Sequence, residues 1–187
     1  MPRFFIRNKL KSGKVIFLVL ALLATASCEK YVDKPGDDDP RLARKYCNDP
    51  EAVNFNRGFP GTADNSVCYY PADAYKGRYL WIDSMYSNNS LLGQRSLTLD
   101  FSVIDKEQMA VQGLCEASGT TVTFTANRQL RAVADTTIIK GQPFCRPKDT
   151  VSGYIQQSLS DSTRLRFYLS VVSDTGTVLH QGTAYRQ

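Results

Sequence analysis

Histidine is almost absent: His180 is the single one in 187 residues. One imidazole cannot build a zinc site, and no two of the five cysteines stand close enough in sequence to make a metal-binding knuckle. No G-x-S-x-G elbow is there to recruit the histidine for acyl transfer. No glycine-rich loop is placed to cradle a phosphate. Glutamate is scarce, limited to Glu29, Glu51, Glu107 and Glu116, and Trp81 is the only tryptophan. No apolar run reaches the ~20 residues a helix needs to span a bilayer. These absences remove the common catalytic and metal constellations. The expectation is a protein that is not an enzyme and uses no metal or cofactor.

What is present begins at the N-terminus. Arg3, Arg7, Lys9, Lys11 and Lys14 precede a wholly apolar run from Val15 to Ala24, and small residues follow. That order is the basic, apolar and cleavage regions of a secretory signal. Two readings compete at its end. Ala24-Thr25-Ala26 is an A-x-A site for ordinary cleavage. Thr25-Ala26-Ser27-Cys28 resembles the lipobox of bacterial lipoproteins, which implies that Cys28 is acylated and becomes the mature N-terminus. The second is preferred, because the cysteine falls where the apolar run ends. Several acyl chains at ~0.8 kcal/mol per buried methylene hold a protein to a membrane where one would not.

Charge changes meaning once residues 1–27 are treated as a signal. The full chain carries 23 basic and 18 acidic residues. The signal holds five basic residues and no acidic ones, which leaves 18 of each. A neutral mature chain gives no argument for nucleic-acid binding and has little field to steer a charged partner. Residues 28–45 show no hydrophobic periodicity. They carry Asp37-Asp38-Asp39-Pro40, a like-charge run before a helix breaker, and read as a solvated tether.

Residues 46–72 form a cysteine-bounded loop. Cys47-Asn48-Asp49-Pro50-Glu51-Ala52-Val53-Asn54-Phe55-Asn56 leads to Asp64-Asn65-Ser66-Val67-Cys68-Tyr69. This resembles a short motif of surface lipoproteins of the Bacteroidota type. Hard cations want six or more oxygens, several of them charged, so a disulfide loop is favoured there over a calcium site. With Cys28 lipidated, Cys47, Cys68, Cys115 and Cys145 remain to pair. Cys47–Cys68 with Cys115–Cys145, the sequence neighbours, is the favoured one of three connectivities.

From residue 73 to 187 the chain alternates in the period-2 manner of strands. Gly77–Tyr86 places Tyr79, Trp81 and Met85 on one face and Leu80 and Ile82 on the other. Leu97, Leu99, Phe101 and Val103 alternate with polar residues, as do Leu165, Phe167, Leu169 and Val171. Further strands are expected at Met109–Leu114, Thr120–Ala126, Leu130–Asp135, Thr136–Ile139, Val151–Gln157 and Thr177–Arg186. Asn88-Asn89-Ser90 and Asp174-Thr175-Gly176 mark turns. The expected fold is all-β, about eight antiparallel strands in an up-and-down barrel or half-barrel, with a β-sandwich as the alternative.

Gly77-Arg78-Tyr79 resembles the Gly-x-Trp that opens the lipocalin barrel, with Trp81 two residues on. Arg186 resembles the lipocalin arginine that packs over that aromatic. The resemblance implies a small ligand in the barrel mouth, and Tyr79 and Trp81 are the candidate ligand-binding residues. Asp83 and Asp100 lie on neighbouring strands but on faces that need not converge, so a carboxylate pair is not expected. His180 reads as an ordinary strand residue. Asp83-Ser84-Met85, Asp135-Thr136-Thr137, Asp149-Thr150-Val151 and Asp161-Ser162-Thr163 resemble O-glycan attachment sites of the same bacterial group, or are plain turn chemistry.

Two functions are carried forward. One is a lipid-anchored envelope lipoprotein of the outer membrane, surface-exposed, binding a small ligand or glycan. The other is a structural or assembly accessory that meets another envelope protein.

Overall fold

The computed structural model describes residues 39–115, 120–134, 142–146, 148–158 and 160–187. Cys28, the signal, most of the tether, the strand expected at Thr136–Ile139 and the Asp135-Thr136-Thr137 triplet lie outside the described residues.

The chain enters through the cysteine-bounded segment. Strands β1 (Lys45–Tyr46) and β2 (Thr62–Ala63) form a short parallel pair. Two 3-10 turns follow, Asn65–Val67 and Pro71–Ala74. Asp64 caps the first, its carboxylate accepting from the Ser66 amide at 2.9 Å. The Cys47–Cys68 disulfide closes the segment. Asn54 staples it from inside: its amide donates to the Val67 carbonyl and accepts from the Tyr69 amide, both at 2.8 Å.

The remaining strands are β3 (Gly77–Ser87), β4 (Ser90–Val103), β5 (Gln108–Gln112), β6 (Thr121–Ala126), β7 (Arg131–Ala134), β8 (Gln142–Pro143), β9 (Thr150–Gln157), β10 (Arg164–Ser173) and β11 (Gly176–Arg186). Consecutive antiparallel pairing runs from β3 to β7. β7 then pairs with β9, β9 with β10, β10 with β11, and β11 returns to β3. The sheet is a closed eight-stranded antiparallel barrel, and β8 lies outside it against the start of β9. Closure removes the exposed edges that an open sheet would leave.

Local chemistry sets the tight turns. Asn88 and Asn89 adopt φ of 48° and 63° between Ser87 and its partner Ser90. Positive φ at both central positions is the type I′ geometry that matches strand twist, and Asn tolerates it. This turn lets pairing begin at Ser90. β4 therefore starts well before Leu97, where hydrophobic alternation first becomes visible; Leu91 and Leu92 are both exposed and break the pattern.

Alternate residues point inward and fill the barrel. Trp81 stacks on Phe167 at 4.7 Å, Phe167 meets Phe101 edge-on at 6.3 Å, and Phe101 meets Tyr79 at 5.1 Å. Each large side chain removed from water contributes about 1.5–3 kcal/mol. The turn Pro71–Ala74 covers one end of the barrel, with Ala72, Ala74 and Tyr75 buried. Gln157 ties it down by donating to the Ala74 carbonyl at 3.0 Å, and the Tyr75 hydroxyl donates to the Leu130 carbonyl. At the same end the Arg186 guanidinium lies 5.4 Å over the Tyr79 ring and donates to the Lys76 carbonyl at 2.6 Å.

Candidate functional site: a polar cluster under the barrel mouth

The opposite end of the barrel carries a different chemistry. β11, β3 and β4 are neighbours, and their register opposes Asp83 to Gly182 on one side and to Arg95 on the other. His180 is two residues from Gly182, on the same inward face. Period-2 geometry therefore brings a carboxylate, a guanidinium and an imidazole to one point.

Asp83 is wholly buried. Its Oδ2 accepts from Arg95 Nε at 3.0 Å and from His180 Nδ1 at 2.8 Å. A carboxylate can only accept, so Nδ1 carries the proton. Among the described residues no hydroxyl or thiol hydrogen-bonds to His180, so the pair is not a nucleophile-activating triad. Asp83 Oδ1 and Trp81 Nε1 are buried with no hydrogen-bond partner. Each such group costs about 1–3 kcal/mol if nothing else satisfies it.

Above this cluster lies a cleft of about 280 Å³ whose apolar wall includes Met85, Leu92, Phe144, Val171 and Val178, with His180 and Arg95 also lining it. Phe144 leans over His180 with ring centroids 6.1 Å apart. The strap that carries Phe144 is fixed at three points. Gln142 brackets Thr123, accepting from its amide at 2.8 Å and donating to its carbonyl at 2.6 Å. Phe144 donates its amide to Asp149, and the Cys115–Cys145 disulfide pins the next residue.

The residues singled out in the sequence fall as follows. Tyr79 and Trp81 are both fully buried, Trp81 one layer below Asp83 and Tyr79 two. They belong to the packed interior, and only Trp81 adjoins the polar cluster, 6.3 Å from the His180 ring. Burial pushes the Tyr79 phenol above its usual range, and the Arg186 charge opposes that. Asp100 faces outward and pairs with Arg78 at 2.9 Å, so it never meets Asp83. Asp161 accepts from the Thr163 amide at 2.9 Å and from its hydroxyl, which is turn chemistry. His180, read as an ordinary strand residue, is instead a buried partner of Asp83. The signal was a charged side chain on the Tyr79/Trp81 face: a buried carboxylate needs a donor. Among the described residues no group of three or more His, Cys, Asp or Glu could hold a metal ion.

No family model matches the chain, and no curated protein matches it. Among solved structures, it is similar to a multidomain protein including DUF1735 from Bacteroides ovatus, at 12% identity and a TM-score of 0.31. The match covers 59% of this chain and 55% of that one, so the chain spans about half the length of the protein it matches.

Proposed function

We propose that the chain is a lipid-anchored envelope lipoprotein, held at Cys28, whose barrel is a non-catalytic binding module for a small ligand or glycan. The observation that carries the reading is the Asp83–Arg95–His180 cluster beneath an apolar-walled mouth. Small-molecule sites are concave and mostly apolar, with a few fixed polar groups. The two disulfides suit an oxidising compartment outside the cytoplasm. The resemblance to lipocalins rests on Gly77, Tyr79 and Arg186, and agrees with a ligand admitted at the mouth.

A screen of small molecules and oligosaccharides, read by Trp81 fluorescence and thermal shift, tests the module. A saturating ligand that is lost on substituting Phe144 supports it; no saturating compound in the screen sinks it. Fatty-acid labelling tests the anchor separately. Label should enter the wild type and not Cys28→Ala, and label kept by the variant removes the anchor. The accessory reading is favoured by one observation, the exposed Leu91 and Leu92 at the β3–β4 tip. Cross-linking at that tip in the envelope would identify a protein partner.

A further inference from the structure

We infer that the mouth selects a ligand with an apolar body and a neutral hydroxyl head, against one with a charged head. This rests on the reading of the barrel as a binding module and names the chemistry of what it binds.

Among the described residues three buried side-chain polar atoms lack a hydrogen-bond partner; one is the Tyr79 hydroxyl, and the other two lie together beneath the mouth. Asp83 Oδ1 is an acceptor and Trp81 Nε1–H is a donor. They sit on adjacent inward positions of β3. The residue directly opposite Asp83 is Gly182, which has no side chain to place between them. A Cβ at Gly182 would come within 2.9 Å of Trp81 Nε1, so the indole N–H lies over that glycine. An acceptor and a donor without partners thus occupy neighbouring inward positions of one strand. A hydroxyl satisfies both, because it donates and accepts through one oxygen.

Charge decides against the alternatives. Arg95 already balances Asp83. A carboxylate head would accept from the indole but could not donate to Oδ1, and it would bring a second negative charge beside a buried one. An ammonium head would donate to Oδ1 but leave the indole unmet and add a charge with no counter-ion. Desolvating an uncompensated charge in such a site is strongly unfavourable. The apolar wall of Met85, Phe144, Val171 and Val178 fits a hydrocarbon body. Phe144 and His180 line the cleft and Asp83 does not. Trp81 does not line it either, so a head group reaches the pair only when a side chain of the cleft floor moves aside.

The test titrates the folded full chain, near neutral pH, with three probes of one shape: cyclohexylmethanol, cyclohexanecarboxylate and cyclohexylmethylamine. Trp81 is the sole tryptophan, so its fluorescence and its single indole N–H resonance both report the site. The alcohol should saturate, shift the indole resonance, and bind at least about tenfold tighter than either charged probe. In Asp83→Asn the margin over the carboxylate should shrink. If that variant does not fold, the indole shift in the wild type still decides. A charged probe that binds as tightly as the alcohol overturns the inference, as does saturation that leaves the indole resonance unmoved. It is also overturned if none of the three binds while another compound from the screen does; in each case the binding module stands. If nothing in the screen binds, the module reading itself fails.

Discussion

Asp83 and His180 are 97 residues apart in sequence and meet at 2.8 Å inside the barrel. Asp83 stands on the first barrel strand and His180 on the last, so the contact exists only because β11 closes against β3. The pair also sets the two partners of Asp83 apart. Arg95 brings a full charge and His180 a hydrogen bond to the same oxygen.

That asymmetry gives the first expectation. Asp83→Ala takes one buried carboxylate from both Arg95 and His180 and should cost about 3–5 kcal/mol. His180→Ala keeps the Arg95–Asp83 pair and should cost less, about 1–3 kcal/mol. Urea unfolding followed by Trp81 fluorescence ranks the two. Equal losses would show that Arg95 does not depend on Asp83.

Gly182 offers a sharper test of the geometry around the cluster. A Cβ there would lie 1.8 Å from the Ile82 carbonyl oxygen, which is backbone and cannot swing away. Gly182→Ala should therefore destabilise by more than about 2 kcal/mol or prevent folding, as overpacking does at its worst. Gly93→Ala is the control. Its added carbon meets only the Met85 methyl at 3.7 Å, an ordinary contact. A melting temperature unchanged in the first and lowered in the second would mean the β11–β3 register is wrong.

How much of this was legible in the sequence follows from what the pattern encodes. Leu165, Phe167, Leu169 and Val171 alternate cleanly because one face of β10 is buried, and all four lie within that strand. The Asn88-Asn89 turn was legible for a chemical reason, the tolerance of Asn for positive φ. The start of β4 was not, because Leu91 and Leu92 lie past the buried face. The antiparallel barrel of about eight strands was expected and is what forms, but the pairings that close it were not legible. Closure depends on β7 pairing with β9 across an intervening segment, which no local period records. The polar cluster needed the register that sets Asp83 against Arg95 and Gly182. Without it, Asp83 and Asp100 are simply carboxylates on neighbouring strands, whereas the register opposes Asp100 to Arg78. His180 looked ordinary because a strand position reveals a face but not a partner.

At the covered end of the barrel, Arg186 makes two contacts that a truncation would remove together. It lies over the Tyr79 ring and donates to the Lys76 carbonyl. A guanidinium over an aromatic ring contributes about 0.5–2 kcal/mol. Arg186→Ala should lower stability by about 1–3 kcal/mol once the lost hydrogen bond is included. Arg186→Lys should recover only part, since an ammonium lacks the planar fork. Denaturant midpoints for the two variants check this, and full recovery by lysine would leave charge alone as the cause.

The cysteine-bounded segment should respond to acid before the barrel does. The Asp49 carboxylate accepts from the Lys106 ammonium at 2.7 Å, from the Glu51 amide at 3.0 Å and from the Tyr70 hydroxyl at 2.8 Å. Chiefly through the Lys106 bond, the Asp49 carboxyl is lowered from 3.8 to about 2. Lys45 in the same way holds Asp64 well below the usual carboxylate range. A depressed folded pKa gives stability that is present above the unfolded value. It is lost as pH falls from about 4 through about 2. Protection factors of residues 47–70, taken against intrinsic exchange at each pH, should therefore fall over that window while the amides of β10 stay protected. Asp49→Asn should have low protection factors throughout the window, with a weaker pH dependence. Protection of the segment that is flat from pH 4 to pH 2 in the wild type would remove Asp49 as a structural tie.

The two disulfides should separate stability from access to the mouth. They close loops of 21 and 30 residues, and each should contribute about 3 kcal/mol by restricting the unfolded chain. Their positions differ in consequence. Cys47–Cys68 lies in the N-terminal segment, away from the cleft. Cys145 adjoins Phe144, and that ring leans over His180. Replacing Cys115 and Cys145 by serine should therefore loosen the strap as well as lower the melting temperature. The sole histidine reports the difference. Its acylation by diethyl pyrocarbonate in the folded protein should be slow in the wild type, where His180 is only 5% exposed. It should stay slow in the Cys47/Cys68 double variant despite the lost stability. It should quicken in the Cys115/Cys145 double variant at temperatures where both remain folded. Equal rates in the two variants would mean that the strap is held by Gln142 and the Phe144 amide alone, and that the disulfide does not guard the mouth.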